Sequence, residues 1–523
     1  MSASREKQNR QEQASSGWVD PKTAREAQQR KQEKRSNRLY GLIAVVFVLV
    51  AVAAIIYRSN IIPKMSTAAT IDGEKYTAAE VSFYYQNVYR NLQGYASYLG
   101  LNPSASLKDQ TITGDAATMA VALGLGEAKE GETWYDFILD QALKQMAQIQ
   151  TALGRAAEEG FTYPAGVQAQ YDDSMETLKS AAQASNVSVD QYLANIFGTS
   201  LITEKIYGQE LMRMLQFDSY ANGYVDGLSY DEAALEEAYA ADPKSYDKVS
   251  YESVSISGTA PSTTDEEGKT VEPTEEESAA AKAEAKAAAD KMLADLRAGG
   301  DLSALAEANE AASYSENERG SYNGSVLTEW LFDDARKAGD TAVLESGSTY
   351  YVAVFHERTR ESYDSIDVRH ILVQPSAGTI VSGEEGYEAE QAQLKDDAKA
   401  KAEALLEQWK SGDATEDSFA ALAMEESTDG SKYVGGLYTR VSQGDMVQAF
   451  NDWCFDPARQ SGDTGVVETQ YGYHVMYFVG TNAPAWQVAV AKTLENEAYG
   501  EWVDGLSAES TITRGESGLK YVG

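Results

Sequence analysis

One stretch of this chain occurs twice. Trp330-Leu-Phe-Asp-Asp-Ala-Arg-Lys-Ala-Gly-Asp-Thr341 is matched 123 residues later by Trp453-Cys-Phe-Asp-Pro-Ala-Arg-Gln-Ser-Gly-Asp-Thr464, and eight of the twelve positions are identical. Two further pairs lie at an offset of 117: Tyr246–Ile256 against Tyr363–Val373, and Leu302–Ala306 against Phe419–Ala423. Repetition at a nearly fixed spacing means that one supersecondary unit is built twice. Two homologous units of roughly 115–120 residues therefore stand in tandem. Each reads as strand, acidic loop, helix, helix and closing strands. A chain of 523 residues has room for both and for other domains, at about 100–200 residues each.

The copies differ where chemistry would reside. The second carries His370 and His474, and the first has Ser253 and Tyr351 at the matched positions. The first copy is also six residues shorter between Leu305 and Trp330. These differences predict that the first copy lacks any chemistry the second retains.

Charge narrows the class. The chain carries 44 Lys and Arg against 81 Asp and Glu, a net −37. Nucleic-acid binding needs a basic footprint, so no nucleic-acid partner is expected. The single cysteine, Cys454, excludes an intramolecular disulfide. With only three histidines, neither a metal site nor a cofactor is expected.

The charge is unevenly placed. Residues 1–38 hold ten Lys/Arg and five acids, and Leu39–Tyr57 is an uncharged apolar run of 19 residues. About 20 such residues span a bilayer as a helix. Basic residues before the run place the N-terminus in the cytoplasm. The expectation is a single-pass protein of the cell membrane: a cytoplasmic basic tail at 1–38, a transmembrane helix at 39–57 and an extracytoplasmic body.

Residues 66–240 read mostly as helix. Thr77 with Glu80 is a capping-box signature ahead of Val81, Tyr84, Tyr85, Val88, Tyr89 and Leu92 at helical spacing. Trp134–Glu159 and Ile202–Tyr220 share that periodicity, and residues 69–76 read as strand–turn–strand. Residues 259–277 and 376–389 are polar, acidic loops. Ala279–Ala298, Leu394–Trp409 and residues 484–506 are expected helices, with a short strand at Ser510–Arg514.

The second copy resembles a known family. Arg369-His370-Ile-Leu-Val373 looks like the opening strand of parvulin-type peptidyl-prolyl isomerases. Phe419–Ala423, Ser427-Thr-Asp429, Gly435-Gly436, Gly444-Asp-Met446, Phe450, Gly462-Asp463 and Thr469-Gln-Tyr-Gly-Tyr-His474 follow in that family's order. The resemblance covers residues 363–480, and residues 242–360 resemble a degenerate copy. The helical region resembles the chaperone part of SurA- and PrsA-like foldases, and the helix in 484–523 is similar to the one that returns to it there. No lipid-carrying cysteine is present, unlike in PrsA lipoproteins. The implied fold is α+β and multidomain. It comprises a transmembrane helix, a helical chaperone-like domain, two parvulin-like domains with small antiparallel sheets, and a C-terminal helix.

The resemblance also implies a site. His370, His474 and Asp429 fall on the family's polar floor, and Thr469 on a hydroxyl that supports the histidines. Met446 and Phe450, four apart, fall on its apolar pocket, with Tyr438 or Leu437 as the third member. The sequence departs from the family at Leu437-Tyr438-Thr439, where Asp-Leu-Gly is usual. Glu384, Glu385 and Glu388 occupy the loop where phospho-specific members carry basic residues, so phosphoserine–proline preference is not expected. The implied activity is cis–trans isomerisation of X–Pro bonds in unfolded or partly folded secreted polypeptides, joined to chaperone binding. The alternative is a holdase that uses both copies as scaffold.

Overall fold

The computed structural model describes residues 5–9, 45–51, 61–265 and 268–523. Of the apolar run expected to span a membrane, residues 45–51 are helical. The other positions of that run, and the basic tail apart from residues 5–9, lie outside the described residues. No helix among the described residues is long and apolar enough to cross a membrane.

The chain divides into two compact units. The first comprises residues 1–155, 173–214 and 506–523, and the second residues 156–172 and 215–505. In the first unit, β1 (Thr67–Ile71) pairs antiparallel with β2 (Glu74–Thr77) and with a third strand, Ile512–Arg514, from the far end of the chain. Asp72 and Gly73 form the tight turn, both at positive φ. Helix α1 (Ala78–Gln93) follows at once. Its start is fixed by the expected capping box, in which Thr77 and Glu80 bond each other's backbone N–H. The helix stops at Gly94, and a short helical turn, Ala96–Leu99, follows. The long helices α2 (Trp134–Glu159), α3 (Ala165–Ala184) and α5 (Glu204–Asp226), with the shorter α4 (Val189–Phe197), complete the helical part. Trp134, Phe137, Ile138 and Leu139 of α2 are buried with Tyr84 and Tyr85 of α1.

The second unit contains two four-stranded antiparallel sheets of the same topology. After α6 (Glu232–Ala241), the first module runs β3 (Lys248–Ser257), α7 (Glu275–Arg297), α8 (Leu302–Glu307), β4 (Ala312–Gly320), α9 (Val326–Leu331), β5 (Thr341–Ser346) and β6 (Thr349–Thr359). The second runs β7 (Asp364–Val373), α10 (Tyr387–Ser411), α11 (Glu416–Glu426), β8 (Leu437–Val441), α12 (Gln448–Cys454), β9 (Thr464–Thr469) and β10 (Gly472–Pro484). Helix α13 (Ala485–Ala508) follows. The spatial orders are β4-β3-β6-β5 and β8-β7-β10-β9.

Even the register repeats. His370 faces Met476 and His474 faces Leu372, while Ser253 faces Ala353 and Tyr351 faces Ser255. The offsets of 117 and 123 read from the sequence superpose these pairs one on another. Alternation along β7 and β10 sends Ile371, Val373, Tyr473 and Val475 to one face, where Trp409, Leu405, Phe419 and Leu422 of α10 and α11 cover them. Ile366, Val368, Met476 and Phe478 point to the other, under Phe450 and Cys454 of α12. His370 and His474 lie on this second face.

Element ends moved where local capping decided them. Helix α7 begins at Glu275, because Thr274 and Glu277 form a second capping box. Helix α10 begins at Tyr387, directly after Gly386 at φ +93°. Both take residues from loops that composition alone assigned to coil. The loop at 259–277 also contains a two-residue strand pair, Thr263–Thr264 with Thr270–Val271.

Candidate functional site

The site is built where β8 stops short of the end of β7. Beyond that point the partners of β7 come from the segment after α11. Ser427 Oγ accepts the Leu372 N–H (3.0 Å), and Thr428 N–H donates to the Leu372 carbonyl (3.0 Å). These bonds deliver Asp429 beside His370. Asp429 then caps a short 3₁₀ turn, Gly430–Val434, by accepting the Ser431 N–H (2.8 Å). The turn ends at Gly435 and Gly436, both left-handed. At Gly436 a Cβ would lie 2.2 Å from the His370 carbonyl oxygen. Only glycine lets the chain pass this close to the residue it must position.

A single hydrogen-bonded line crosses the site. His370 Nε2 lies 3.2 Å from Asp429 Oδ1 and 3.1 Å from Ser431 Oγ. His370 Nδ1 lies 3.0 Å from His474 Nδ1, and His474 Nε2 lies 2.8 Å from Thr469 Oγ1. Thr469 Oγ1 accepts the Tyr471 N–H (3.1 Å). A carboxylate only accepts, so His370 Nε2 carries a proton. With both rings neutral the direction follows: Thr469 O–H donates to His474 Nε2, His474 Nδ1–H donates to His370 Nδ1, and His370 Nε2–H donates to Asp429.

Two members of the line, His474 and Asp429, are electrostatically perturbed. Burial, with the neighbouring imidazole of His370, pulls His474 down to about 4, so the ring is neutral near pH 7. The His370 hydrogen bond, helped by those from Ser431, holds the Asp429 carboxyl well below the usual carboxylate range, against the burial that opposes it. Asp429 Oδ1 also accepts from the Ser431 hydroxyl and from Tyr438 O–H (3.0 Å). All these bonds fall on one oxygen. The carboxylate side chain stays 23% exposed while that of His370 is 2% exposed, so solvent reaches the anion but not the imidazole beside it.

Aromatic rings frame the imidazoles. Phe450 stands edge-on to His370 and His474, with centroids at 5.5 and 5.4 Å. Tyr438 stacks on His370 at 5.2 Å. Met446 is half-buried against the same cluster. Leu437 corrects one expectation. It pairs with Arg369 and Tyr438 pairs with Val368, so alternation turns Leu437 to the opposite face and gives the third pocket position to Tyr438.

The structure thus brings together His370, His474, Asp429, Thr469, Met446, Phe450 and Tyr438, and leaves Leu437 outside. Sequence reasoning missed Ser431 and the hydroxyl role of Tyr438. A serine two residues after an aspartate at a turn is a recognisable local hydrogen-bonding pattern. No local signal pointed to the Tyr438–Asp429 bond, which joins a strand to a turn. In the first module, Ser253, Tyr351, Asn317, Asn323 and Leu327 take the places of His370, His474, Tyr438, Met446 and Phe450. There α8 ends at Glu307 and β4 begins at Ala312, so the turn that carries Asp429 is missing. His356 lies on β6 and faces Glu252 at 3.1 Å, away from either site.

The PPIC-type PPIase domain matches residues 351–480. No curated protein matches the chain. Among solved structures, PrsA from Bacillus anthracis, a peptidylprolyl isomerase, is 22% identical with a TM-score of 0.16, covering 31% of this chain and 60% of its own. PrsA from Bacillus subtilis is 14% identical with a TM-score of 0.24, over 73% of this chain and 89% of its own. A SurA-like chaperone of Campylobacter jejuni is 7% identical with a TM-score of 0.16, over 66% of this chain and 96% of its own. The second module lies almost wholly within the PPIC-type match and is a parvulin-type peptidyl-prolyl cis–trans isomerase domain.

Proposed function

We propose that this domain isomerises X–Pro bonds at the line from Asp429 through His370 and His474 to Thr469. The carrying observation is the Asp429 carboxylate, fixed by four donors on Oδ1, beside the clustered side chains of Phe450, Met446 and Tyr438. The uncatalysed reaction takes tens to hundreds of seconds because rotation breaks amide resonance, at about 18–20 kcal/mol. The planar amide places more negative charge on its oxygen than the twisted one does. An anion beside that oxygen therefore disfavours the ground state relative to the transition state. The pocket holds the proline ring so that rotation occurs about the preceding bond. The histidines orient the carboxylate through the hydrogen-bonded line.

In the fuller reading the chain is an anchored foldase. Residues 39–57 cross the cell membrane and the body works outside it on unfolded secreted chains, with the helical part and the first module binding client segments. The basic tail and the apolar run support this topology. Intact cells treated with protease should lose the body and keep a membrane-embedded N-terminal fragment. A body protected in intact cells would reverse the topology.

The catalytic reading is tested with the full chain and a non-phosphorylated Xaa–Pro peptide. Acceleration by the parent, reduced about tenfold or more in a folded Asp429→Ala variant, supports it. A folded parent with no acceleration removes it and leaves the holdase.

A further inference from the structure

The first module has lost the residues of the line, yet one of its side chains reaches the second module's pocket loop. We infer that Arg319 of the first module is a positioning residue for the loop Ser442–Met446, and thereby sets the proline pocket of the second. The inference rests on the site reading above.

Arg319 projects from the end of β4. Its guanidinium donates to Tyr363 Oη (2.8 Å) and to Gln443 Oε1 (3.3 Å), and it forms an ion pair with Glu361. Tyr363 Oη also accepts the Gln443 N–H (3.0 Å). Gln443 is thus held by backbone and by side chain, and both bonds lead back to Arg319. On the other side Gly444 N–H donates to Asn451 Oδ1 of α12 (2.8 Å). Met446, the half-buried pocket residue, is two positions further on.

This loop needs such a brace. Gly444 is left-handed at φ +86°, and Gly444 and Asp445 are exposed. A cleft of about 380 Å³ opens against the loop, lined by Lys248, Arg319, Ser321, Gln443, Gly444 and Lys492 among others. Side-chain packing therefore does not fix this side of the loop, and polar contacts do. One planar guanidinium reaches a hydroxyl, an amide oxygen and a carboxylate from two fixed, separated nitrogens, a fork that a compact ammonium lacks. Tyr363 carries the brace inward: its ring stands edge-on to Phe455 at 5.9 Å, and Phe455 packs on the cluster that holds Phe450. The degenerate module persists, on this account, as a splint for its active copy.

The experiment uses the full chain and one Xaa–Pro peptide, with Kd from titration and KM and kcat from isomerisation. Arg319→Ala and Gln443→Ala should each raise Kd and KM about three- to tenfold with kcat within about twofold, and the double variant should be no worse than either single one. Arg319→Lys should recover only part of the loss. Arg297→Ala, which removes bonds to Thr341 inside the first module, should leave Kd unchanged. Parent-like Kd in folded Arg319→Ala, an equal loss in Arg297→Ala, or additive losses in the double variant would each overturn the inference. A parent that binds the peptide without isomerising it overturns the catalytic reading, while the Kd comparison still decides the splint. A parent that binds no Xaa–Pro peptide overturns both.

Discussion

At the residue scale the site depends on keeping the His474 imidazole neutral and the Asp429 carboxylate charged. The folded chain holds His474 at about 4, whereas an unfolded histidine titrates near 6.5. The unfolded chain therefore binds the proton more readily between these values. The stabilisation from this group is complete above about pH 6.5 and falls as pH drops toward 4, by up to about 3 kcal/mol. Asp429 follows the same sign lower down: its contribution is present above about 3.9 and is lost below that value. Urea midpoints should therefore be lower at pH 4.5 than at pH 7, and His474→Asn should shrink the difference. A pH-independent midpoint would contradict the buried neutral ring. Cys454 takes no part in this: it is buried, and burial pushes its thiol up to about 12.

At the element scale, the short strand β8 is what makes room for the site. Its register shifts between Tyr438 and Val441, and Arg440 sits there at φ +53°. Arg440 is held by a two-pronged pair with the buried Glu495 of α13, at 2.6 and 3.1 Å. Upstream, Gly436 lets the chain pass against the His370 carbonyl. Gly436→Ala adds a left-handed non-glycine residue, at about 1–2 kcal/mol, and a contact that must move backbone. The expected result is a loss of at least about 2 kcal/mol in urea unfolding together with a loss of isomerase activity, since the same shift displaces His370. A variant of parental stability would show that the turn relaxes freely.

At the scale of the whole molecule, one fold was built twice and equipped once. The first module is shorter where the second has the turn that carries Asp429, and it has Ser253 and Tyr351 where the second has imidazoles. Restoring Ser253→His and Tyr351→His in an Asp429→Ala background should therefore return no isomerase activity, measured on the same Xaa–Pro peptide. Recovery of activity would mean that the carboxylate is dispensable.

The repeat, the capping box at Thr77 and Glu80, and the ordered residues of the second module were legible because each is a local pattern. Spacing carries the register of paired strands, and a Thr with Glu three residues on carries a helix start. His370, His474, Asp429, Met446 and Phe450 could be named because the ordered motifs of the second module resemble those of the parvulin family, which implies their roles. What lay beyond the sequence were contacts between residues far apart along it. Whether Leu437 or Tyr438 faces the pocket is set by one step of strand register. The gathering of Ser431, Tyr438 and His370 on one oxygen of Asp429, and the reach of Arg319 to Gln443, exist only once the elements are packed. Hydrogen bonds of this kind depend on distances of a few tenths of an ångström, and only the tertiary structure fixes those.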